Sequence, residues 1–453
     1  MSPRSALALR ILAAIVALAA GGGCTSSTPA GAADAGPLED AAGEAAAPPD
    51  AAPDLAPVVV DLGMISEQHQ YGEHEPSVAA TPDGRVAVAW LVAFAAKYQI
   101  NYRISTDDGV SFGVEQTIPM PTDTNICANT SLAADAAGAI HLAYACETVS
   151  AGGVRSNVQV LAARSPAGST TFGDGVVVTD PAATPFAYDQ PRIAATSTGG
   201  LLVTYSHFST TDSRQIAASS DDGLQWTRTA ISPGIAIDEN IGRIYASPTD
   251  ARVWVAMLLD GNRGVRLCRS DDGGRTWPAA NQRNVDEPAG TMFSLDLAIA
   301  GHGEEIWVLY GLTDEVPSRQ SQMKLNRLHL VRSGDGGATL EAPVSIDPEA
   351  GEYLMLPNLV HDDGGGLDIT YYAGSAASDP AASYRRRRST DGGKSFTSSI
   401  VLHQPLVFDT SRVTTRWLGD YEGLAAAAGK LYIAYTDSTA PAAHVAFLRT
   451  SVP

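Results

Sequence analysis

STDDGVSF, residues Ser105 to Phe112, belongs to a motif that the chain repeats. Each copy combines a serine, an aspartate two residues later, a glycine and a final apolar residue. The glycine allows a positive φ in a tight turn, and the serine and aspartate side chains can bond turn amides. We therefore interpret the repeated aspartates as structural residues rather than as metal ligands or catalytic groups. The other copies are SSDDGLQW from Ser219, SDDGGRTW from Ser270, SGDGGATL from Ser333 and STDGGKSF from Ser389, and the aspartates are Asp107, Asp221, Asp272, Asp335 and Asp391.

Short alternating segments accompany these turns. Alternation with a period of two residues is typical of β-strands, and no segment shows a long helical period. The pattern predicts an all-β protein built from repeated antiparallel units. The second strand of each predicted unit reads VAVAW from Val86, IHLAY from Ile140, LLVTY from Leu201, VWVAM from Val253, IWVLY from Ile306, LDITY from Leu367 and LYIAY from Leu431.

The repeated turns resemble the Asp boxes, or BNR repeats, of the sialidase (neuraminidase) superfamily. This resemblance implies a β-propeller of four-stranded antiparallel blades over residues 57–453. The second strands predict seven blades, and six, the usual number in sialidases, is the alternative. The last unit stops where its own turn should begin, so we expect the strand Val58 to Leu62 to complete it. That pairing would close the ring and leave no open edge.

The N-terminus carries the pattern of a targeting segment. Arg4 and Arg10 precede the apolar run Ile11 to Ala20, which is too short to span a bilayer. The run leads into Cys24, as in the lipobox of bacterial lipoproteins. We therefore expect a signal peptide over residues 1–23, acylation of Cys24, and a disordered tether over residues 24–56, with plain secretion as the alternative. The protein would then lie in the bacterial cell envelope, periplasmic or surface-exposed, and contact the membrane only through its lipid anchor.

The net charge of -20 argues against nucleic acid as a partner, because an acidic body repels phosphate backbones. An exported protein can keep disulfides. Cys127 precedes one predicted strand and Cys146 ends the next, so an antiparallel hairpin would pair them as a disulfide. Cys268 lies in an apolar strand and is expected to be a buried thiol.

Acids, arginines and tyrosines cluster where first strands begin and second strands end, which is the usual ligand face of a propeller. Such convergent polar groups favour a sugar-like ligand over an apolar one. The alternative is that these groups only bond loop backbone. The candidate binding residues are Gln190, Arg192, His207, Arg243, Tyr372 and Arg416, and the candidate catalytic residues are Glu75, Asp420, Tyr421 and Glu422.

The sialidase resemblance implies three arginines for a substrate carboxylate, a tyrosine nucleophile activated by a glutamate, and an aspartate as acid/base. The first arginine belongs to an Arg-Ile-Pro motif, but this chain has His74-Glu75-Pro76 there. That difference argues against exo-sialidase activity and leaves the enzymatic status open. Tyr421 and Glu422 would point to opposite faces of a strand, whereas Asp420 and Glu422 would share one face. Those acids could act in acid/base chemistry, with Ca²⁺ binding as the alternative.

We therefore expect a monomeric, sialidase-like glycan-binding propeller that could also hydrolyse glycans. The alternative is a non-catalytic scaffold that binds a protein partner. The sequence contains no His/Cys spacing of a metal site and no phosphate-binding glycine loop, so no cofactor or metal is expected.

Overall fold

The computed structural model describes residues 59–452 except 68, 70–71, 95–96, 181–186, 210–212, 233–239, 260, 287–292, 317–323, 376–380 and 408–414. The expected signal peptide, the acylated Cys24 and the tether lie outside the described residues. Within the described ranges the chain is all-β, and its helical content is one 3-10 turn, Ala279–Asn281. These ranges contain no helix that is long and apolar enough to cross a membrane.

In the described ranges the strands form five four-stranded antiparallel sheets and one eight-stranded sheet. We divide the eight-stranded sheet into two units of four strands and call the units sheets 1 to 7. Sheet 1 has strands Glu73–Ala80 (β2), Val86–Phe94 (β3), Lys97–Ser105 (β4) and Gln116–Thr117 (β5); sheet 2 has Ile126–Ala134 (β6), Ile140–Val149 (β7), Arg155–Ser165 (β8) and Val176–Val177 (β9). Sheet 3 has Ala187–Ala195 (β10), Leu201–Phe208 (β11), Ser213–Ser220 (β12) and Thr227–Ala230 (β13); sheet 4 has Asn240–Ala246 (β14), Val253–Leu259 (β15), Gly264–Ser270 (β16) and Gln282–Asp286 (β17). Sheet 5 has Phe293–His302 (β18), Glu305–Thr313 (β19), Arg327–Ser333 (β20) and Val344–Ile346 (β21); sheet 6 has Glu352–His361 (β22), Leu367–Ser375 (β23), Ala381–Ser389 (β24) and Ile400–Val407 (β25). Sheet 7 has Gly423–Ala427 (β26), Lys430–Asp437 (β27), His444–Ser451 (β28) and, as its outer strand, Val59–Met64 (β1).

The first strands of the sheets contact one another in sequence. Strand β2 contacts β6, β6 contacts β10, and the series continues through β14, β18 and β22 to β26, which contacts β2 again. Sheets 1 and 2 are also joined by a single parallel pair, Tyr98 with Ile126. This arrangement of antiparallel sheets around a common centre is that of a β-propeller.

The hydrophobic core lies between neighbouring sheets. One cluster packs Trp307 and Leu330 of sheet 5 against Leu359 and Tyr371 of sheet 6. Another packs Trp90 of sheet 1 against Phe447 of sheet 7, so the last sheet is buried against the first. Strand β1 runs antiparallel to β28, as the sequence predicts for the closing strand.

The repeated turns are held by their own side chains. Ser105 Oγ accepts a hydrogen bond from Gly109 N at 2.9 Å, and Asp107 Oδ1 accepts one from Ser111 N at 2.9 Å. The turn amides that the strands leave unpaired are thereby satisfied. Asp272, Asp335 and Asp391 accept the equivalent amide hydrogen bond in their turns.

The turn after β12 differs from the sequence interpretation. Ser220 and Asp222 hold it, and Asp222 Oδ1 accepts hydrogen bonds from Leu224 N at 2.8 Å and Gln225 N at 2.9 Å. Asp221 instead pairs with Arg275 of the neighbouring turn. The assignment of Asp221 as the turn aspartate is therefore corrected to Asp222, because the doubled Ser-Ser-Asp-Asp sequence allows two registers and β12 extends through Ser220.

A disulfide joins Cys127 of β6 to Cys146 of β7, whose Cα atoms face each other in the antiparallel register. Cys268 is a buried free thiol.

Candidate functional site

A cavity of about 210 Å³ lies at the centre of the ring of first strands. All seven first strands contribute to its wall, and so does the segment that leads into β26. Its polar lining consists of Ser77, Thr130, Ser131, Arg192, Arg243, Asp296, Asn358, Asp420, Tyr421 and Glu422.

The same backbone irregularity recurs on the first strands. In sheets 1 to 6 the pairing of the first and second strands shifts at a β-bulge. At each bulge one residue other than glycine has a positive φ, a conformation that costs about 1–3 kcal/mol and clusters at functional sites. Arg192 and Arg243 each lie two positions after such a residue. The positive-φ residues are Glu75, Asn129, Gln190, Ile241, Asp296 and Leu356.

Two of the predicted arginines converge in this cavity. Arg192 and Arg243 both donate a hydrogen bond to Gln190 Oε1, at 3.3 and 2.9 Å. Burial, reinforced by the neighbouring Arg192, lowers the pKa of Arg243 to about 9, so its guanidinium is still charged at neutral pH. Paired guanidinium groups match a carboxylate or a sulfate in geometry and charge.

Tyr421 packs against Arg192 of this pair. The guanidinium carbon of Arg192 is 4.1 Å from the centroid of the Tyr421 ring, within cation–π distance. Burial, together with the nearby Glu75, raises the pKa of the Tyr421 phenol above its usual value. The phenol is therefore neutral and can donate a hydrogen bond.

Asp189 and Asp420 form an acidic pair beside the arginines. Asp189 Oδ1 accepts hydrogen bonds from Asn129 Nδ2 at 3.0 Å and from Gln190 N at 2.8 Å. Burial, followed by repulsion from Asp420, raises the pKa of Asp189 to about 6. A carboxyl group that is poised near neutral pH can act as a general acid or base.

Glu422 has a different position from the one that strand alternation predicts. Strand β26 begins only at Gly423, so Asp420, Tyr421 and Glu422 do not alternate between faces, and all three contribute to the wall of the cavity. The partner of Glu422 is Tyr372 and not Tyr421. The Tyr372 hydroxyl donates to Glu422 Oε1 at 2.6 Å, and Thr436 N donates to Glu422 Oε2 at 3.0 Å.

Tyr372 and Glu422 are buried between sheets 6 and 7. Tyr372 is fully buried and does not line the cavity. Burial raises the pKa of both groups well above their usual values. This tyrosine–glutamate pair therefore supports the segment that carries Asp420 and Tyr421 rather than presenting a nucleophile to the cavity.

The remaining predicted residues lie outside the cavity wall. Glu75 is buried behind the 419–423 segment: a side chain on Gly419, where φ is +97°, would lie 2.9 Å from the Glu75 amide nitrogen. His207 packs on Tyr188, with ring centroids 5.5 Å apart. Arg416 is partly exposed before β26 and does not line the cavity. The structure thus does not gather Arg192, Arg243 and Arg416 around one point.

Sequence reasoning missed Asp296 and Asn358, which both line the cavity. Asp296 is the positive-φ residue of β18, and Asn358 lies two residues after Leu356, the positive-φ residue of β22. Aligning the first strands on their common bulge would have identified both positions. Among the described residues, the three-residue group that could hold a metal ion lies elsewhere, at His69, Glu73 and Glu115.

No protein-family model and no curated protein sequence matches this chain. Solved structures do resemble it. The polysaccharide lyase Uly1 superposes with a TM-score of 0.54 at 12% identity, covering 84% of this chain and 90% of the lyase. A polysaccharide lyase named PL25 ulvan lyase gives a TM-score of 0.53 at 10% identity, covering 85% and 95%. A Trypanosoma rangeli sialidase gives 0.47 at 13% identity, covering 75% and 60%. At these identities the two lyases, whose TM-scores exceed 0.5, show a similar overall fold and nothing about activity.

Proposed function

We propose that this protein is a seven-bladed, Asp-box β-propeller that binds an acidic glycan in its central cavity. The observation that carries the proposal is the convergence of Arg192 and Arg243, which both line that cavity, on Gln190 Oε1 next to it. The guanidinium groups would bind the carboxylate or sulfate of one sugar residue, and Gln190 would hold them in place. The cavity of about 210 Å³ is smaller than the ~300–1,000 Å³ typical of drug-sized ligands, which fits a single sugar ring.

The structural relatives support this ligand class. Uly1 and the PL25 ulvan lyase act on polysaccharides by name, and the latter is bound to -[GlcA(1-4)Rha3S]-, an acidic saccharide. The overall charge of -20 would disfavour polyanions at long range, so selective binding would depend on the local arginine pair.

A second candidate function is cleavage of the bound glycan. It is favoured by the raised pKa of Asp189, which lies next to the cavity wall rather than in it, because this carboxyl group can exchange a proton near pH 6. Asp420 and the neutral phenol of Tyr421 would be the other groups available for acid/base chemistry. The absence of the Arg-Ile-Pro arginine, replaced by the His74-Glu75-Pro76 sequence, disfavours exo-sialidase activity.

A glycan array tests the binding function. The purified protein is expected to retain glycans that carry uronic acid, sialic acid or sulfate, and not their neutral counterparts. Arg192→Ala or Arg243→Ala should weaken binding about 10- to 100-fold, since a charged hydrogen bond contributes ~1.5–3 kcal/mol. Arg275→Ala, at a partly exposed repeat turn, is the matched control and should bind normally.

Equal binding by the Arg192→Ala variant and the wild type would contradict the proposal. No retention of any glycan, together with stable capture of a protein partner, would instead favour the scaffold alternative. Incubation of the same glycans with the protein, followed by product analysis, tests cleavage separately. Cleavage that Asp189→Asn abolishes would support the second candidate function.

For the whole molecule we propose a monomeric lipoprotein of the cell envelope. The support is the apolar run Ile11 to Ala20 that leads into Cys24 and the Ala/Pro/Asp-rich segment that follows. The expected outcome is an acylated Cys24 by mass spectrometry. Cys24→Ala should release the protein from the membrane fraction, and an unmodified, soluble wild-type protein would favour plain secretion.

A further inference from the structure

A second group of chemically active side chains lies where the closing strand leads into the first sheet. His69 belongs to the segment that runs from β1 of sheet 7 to β2 of sheet 1. Glu73 is the first residue of β2, and Glu115 immediately precedes β5, the outer strand of sheet 1. None of these residues contributes to the central cavity.

One ligand atom from each of the three residues lies within 4.8 Å of the other two. The imidazole is between the carboxylates: His69 Nδ1 contacts Glu73 Oε1, and His69 Nε2 is 4.0 Å from Glu115 Oε1. The side chains of Glu73 and Glu115 are buried, with 0% and 5% exposure, whereas that of His69 is 21% exposed. The group therefore has one side that solvent can reach.

Residues outside the group orient both carboxylates. Ser66 Oγ donates to Glu73 Oε2, on the side away from His69. Asn101 Nδ2 donates to Glu115 Oε1, and Glu67 N donates to Glu115 Oε2 at 2.6 Å. Hydrogen bonds of this kind hold the ligands of metal sites in position.

Protein cations balance the charges of the group only in part. Among the described residues, Glu73 has no lysine or arginine within ion-pair distance, and its ionic partner is His69. Glu115 has Arg103 at 3.9 Å, but Arg103 is shared with Glu67 at 3.7 Å. Buried carboxylates are normally paired with cations or coordinate a metal ion. The fully buried Glu73, whose ionic partner is a single imidazole, is therefore the carboxylate that an additional positive charge would stabilise.

We propose that His69, Glu73 and Glu115 bind a divalent transition-metal ion of the Zn²⁺ class. One imidazole nitrogen and two carboxylates suit Zn²⁺ better than Ca²⁺, which prefers oxygen ligands alone. Three protein ligands leave a fourth position for water on the solvent side. The bound ion would connect the segment after β1 to both edges of sheet 1, and so would strengthen the closure of the ring.

Isothermal titration of the chelator-treated protein with ZnCl₂ tests the proposal. We expect a single Zn²⁺ ion per chain, a higher Tm with the metal, and much weaker binding of CaCl₂. His69→Ala and Glu115→Gln should each lower the Zn²⁺ affinity by at least about 100-fold. Loss of a metal ligand should cost at least as much affinity as the loss of a residue that only supports a ligand. In both variants the rise in Tm on addition of Zn²⁺ should disappear as well.

The matched control is His302→Ala, which removes an exposed histidine of sheet 5 and should bind Zn²⁺ as the wild type does. Glu115→Gln keeps the size of the side chain, so a circular dichroism spectrum like that of the wild type would show that it folds. No Zn²⁺ binding by the wild type, or equal binding by the wild type and both site variants, would overturn the proposal. Glycan binding is measured independently, and neither result depends on the other.

Discussion

At the scale of single residues, the cavity wall and the residues next to it combine groups that are unfavourable for stability. Arg192 and Arg243 are close enough that one lowers the pKa of the other, and Asp189 is repelled by Asp420. The positive-φ residues around the axis add backbone strain. Such sites persist because the surrounding structure holds them, and they commonly trade stability for function.

Asp189→Asn tests this interpretation. The folded-state pKa of Asp189 is raised from 3.8 to about 6, so the folded protein loses stability as pH rises between these values. Asparagine keeps the acceptor for Asn129 and Gln190 N without the charge. We expect the variant to be about 1–3 kcal/mol more stable than the wild type at pH 7.5 and equally stable at pH 3.5.

Urea denaturation at both pH values measures this difference. Asp174→Asn, at an exposed position, should leave stability unchanged at either pH. A variant of Asp189 that is less stable than the wild type at pH 7.5 would show that the carboxylate stabilises the fold.

At the scale of elements, each repeat turn is stabilised within itself. Asp222 holds the turn after β12 through two backbone amides, whereas its neighbour Asp221 forms only an exposed ion pair with Arg275. Asp222→Ala should therefore lower the urea midpoint, and Asp221→Ala should leave it nearly unchanged. The reverse order in the two measured midpoints would restore the register that the sequence suggested.

The β6–β7 hairpin carries the disulfide, which closes a loop of 19 residues. In the chain-entropy description a loop of this length is stabilised by about 3 kcal/mol. The Cys127→Ala/Cys146→Ala variant should lose roughly that free energy of unfolding. Adding a reductant should destabilise the wild type but not the variant. A wild-type midpoint that is insensitive to a reductant able to break the bond would contradict the expectation.

At the scale of the whole molecule, sheets 6 and 7 meet through an ionic group that includes the closing strand. His403 of β25 lies 3.3 Å from Asp437 and 3.4 Å from Asp61 of β1. Hydrogen bonds to Asp437 and then to Asp61 raise the pKa of His403. Burial opposes ionisation of Asp437, but its hydrogen bonds with His403 and His444 hold its pKa well below the usual value.

These shifts predict how ring closure depends on pH. The contribution of His403 to the free energy of unfolding is fully present below the pKa of ~6.5 that it has in the unfolded chain. This contribution is lost as the pH rises through the raised pKa of the folded state. The contribution of Asp437 to the free energy of unfolding is present above pH ~3.9, the pKa of an aspartate in the unfolded chain, and is lost as the pH falls. His403→Gln should therefore be less stable than the wild type at pH 5.5, by up to about 1 kcal/mol, and similar to it at pH 8.5.

Thermal unfolding at the two pH values measures this effect. The control Lys394→Gln, at an exposed position of the turn after β24, should show no such change between pH 5.5 and pH 8.5. A deficit of His403→Gln that is the same at both pH values would mean that the side chain acts through packing rather than charge.

The repeat architecture could be predicted from the sequence because its causes are local. A serine, an aspartate and a glycine within five residues build the turn after β4, and alternation along each strand marks its buried face. The pairing of Cys127 with Cys146 follows from the register of one hairpin. Where a doubled sequence allowed two registers, as at Asp221 and Asp222, local reasoning chose the wrong one.

Local patterns in the sequence predicted the strands, most of the repeat turns and the strand that completes sheet 7. Which distant side chains meet depends instead on the tertiary structure. It brought Arg192 and Arg243 together on Gln190, paired Glu422 with Tyr372, and placed His69 between Glu73 and Glu115. The physical reason is that these contacts form between different strands and sheets, where bulges and inter-sheet packing set side-chain directions that no local pattern encodes.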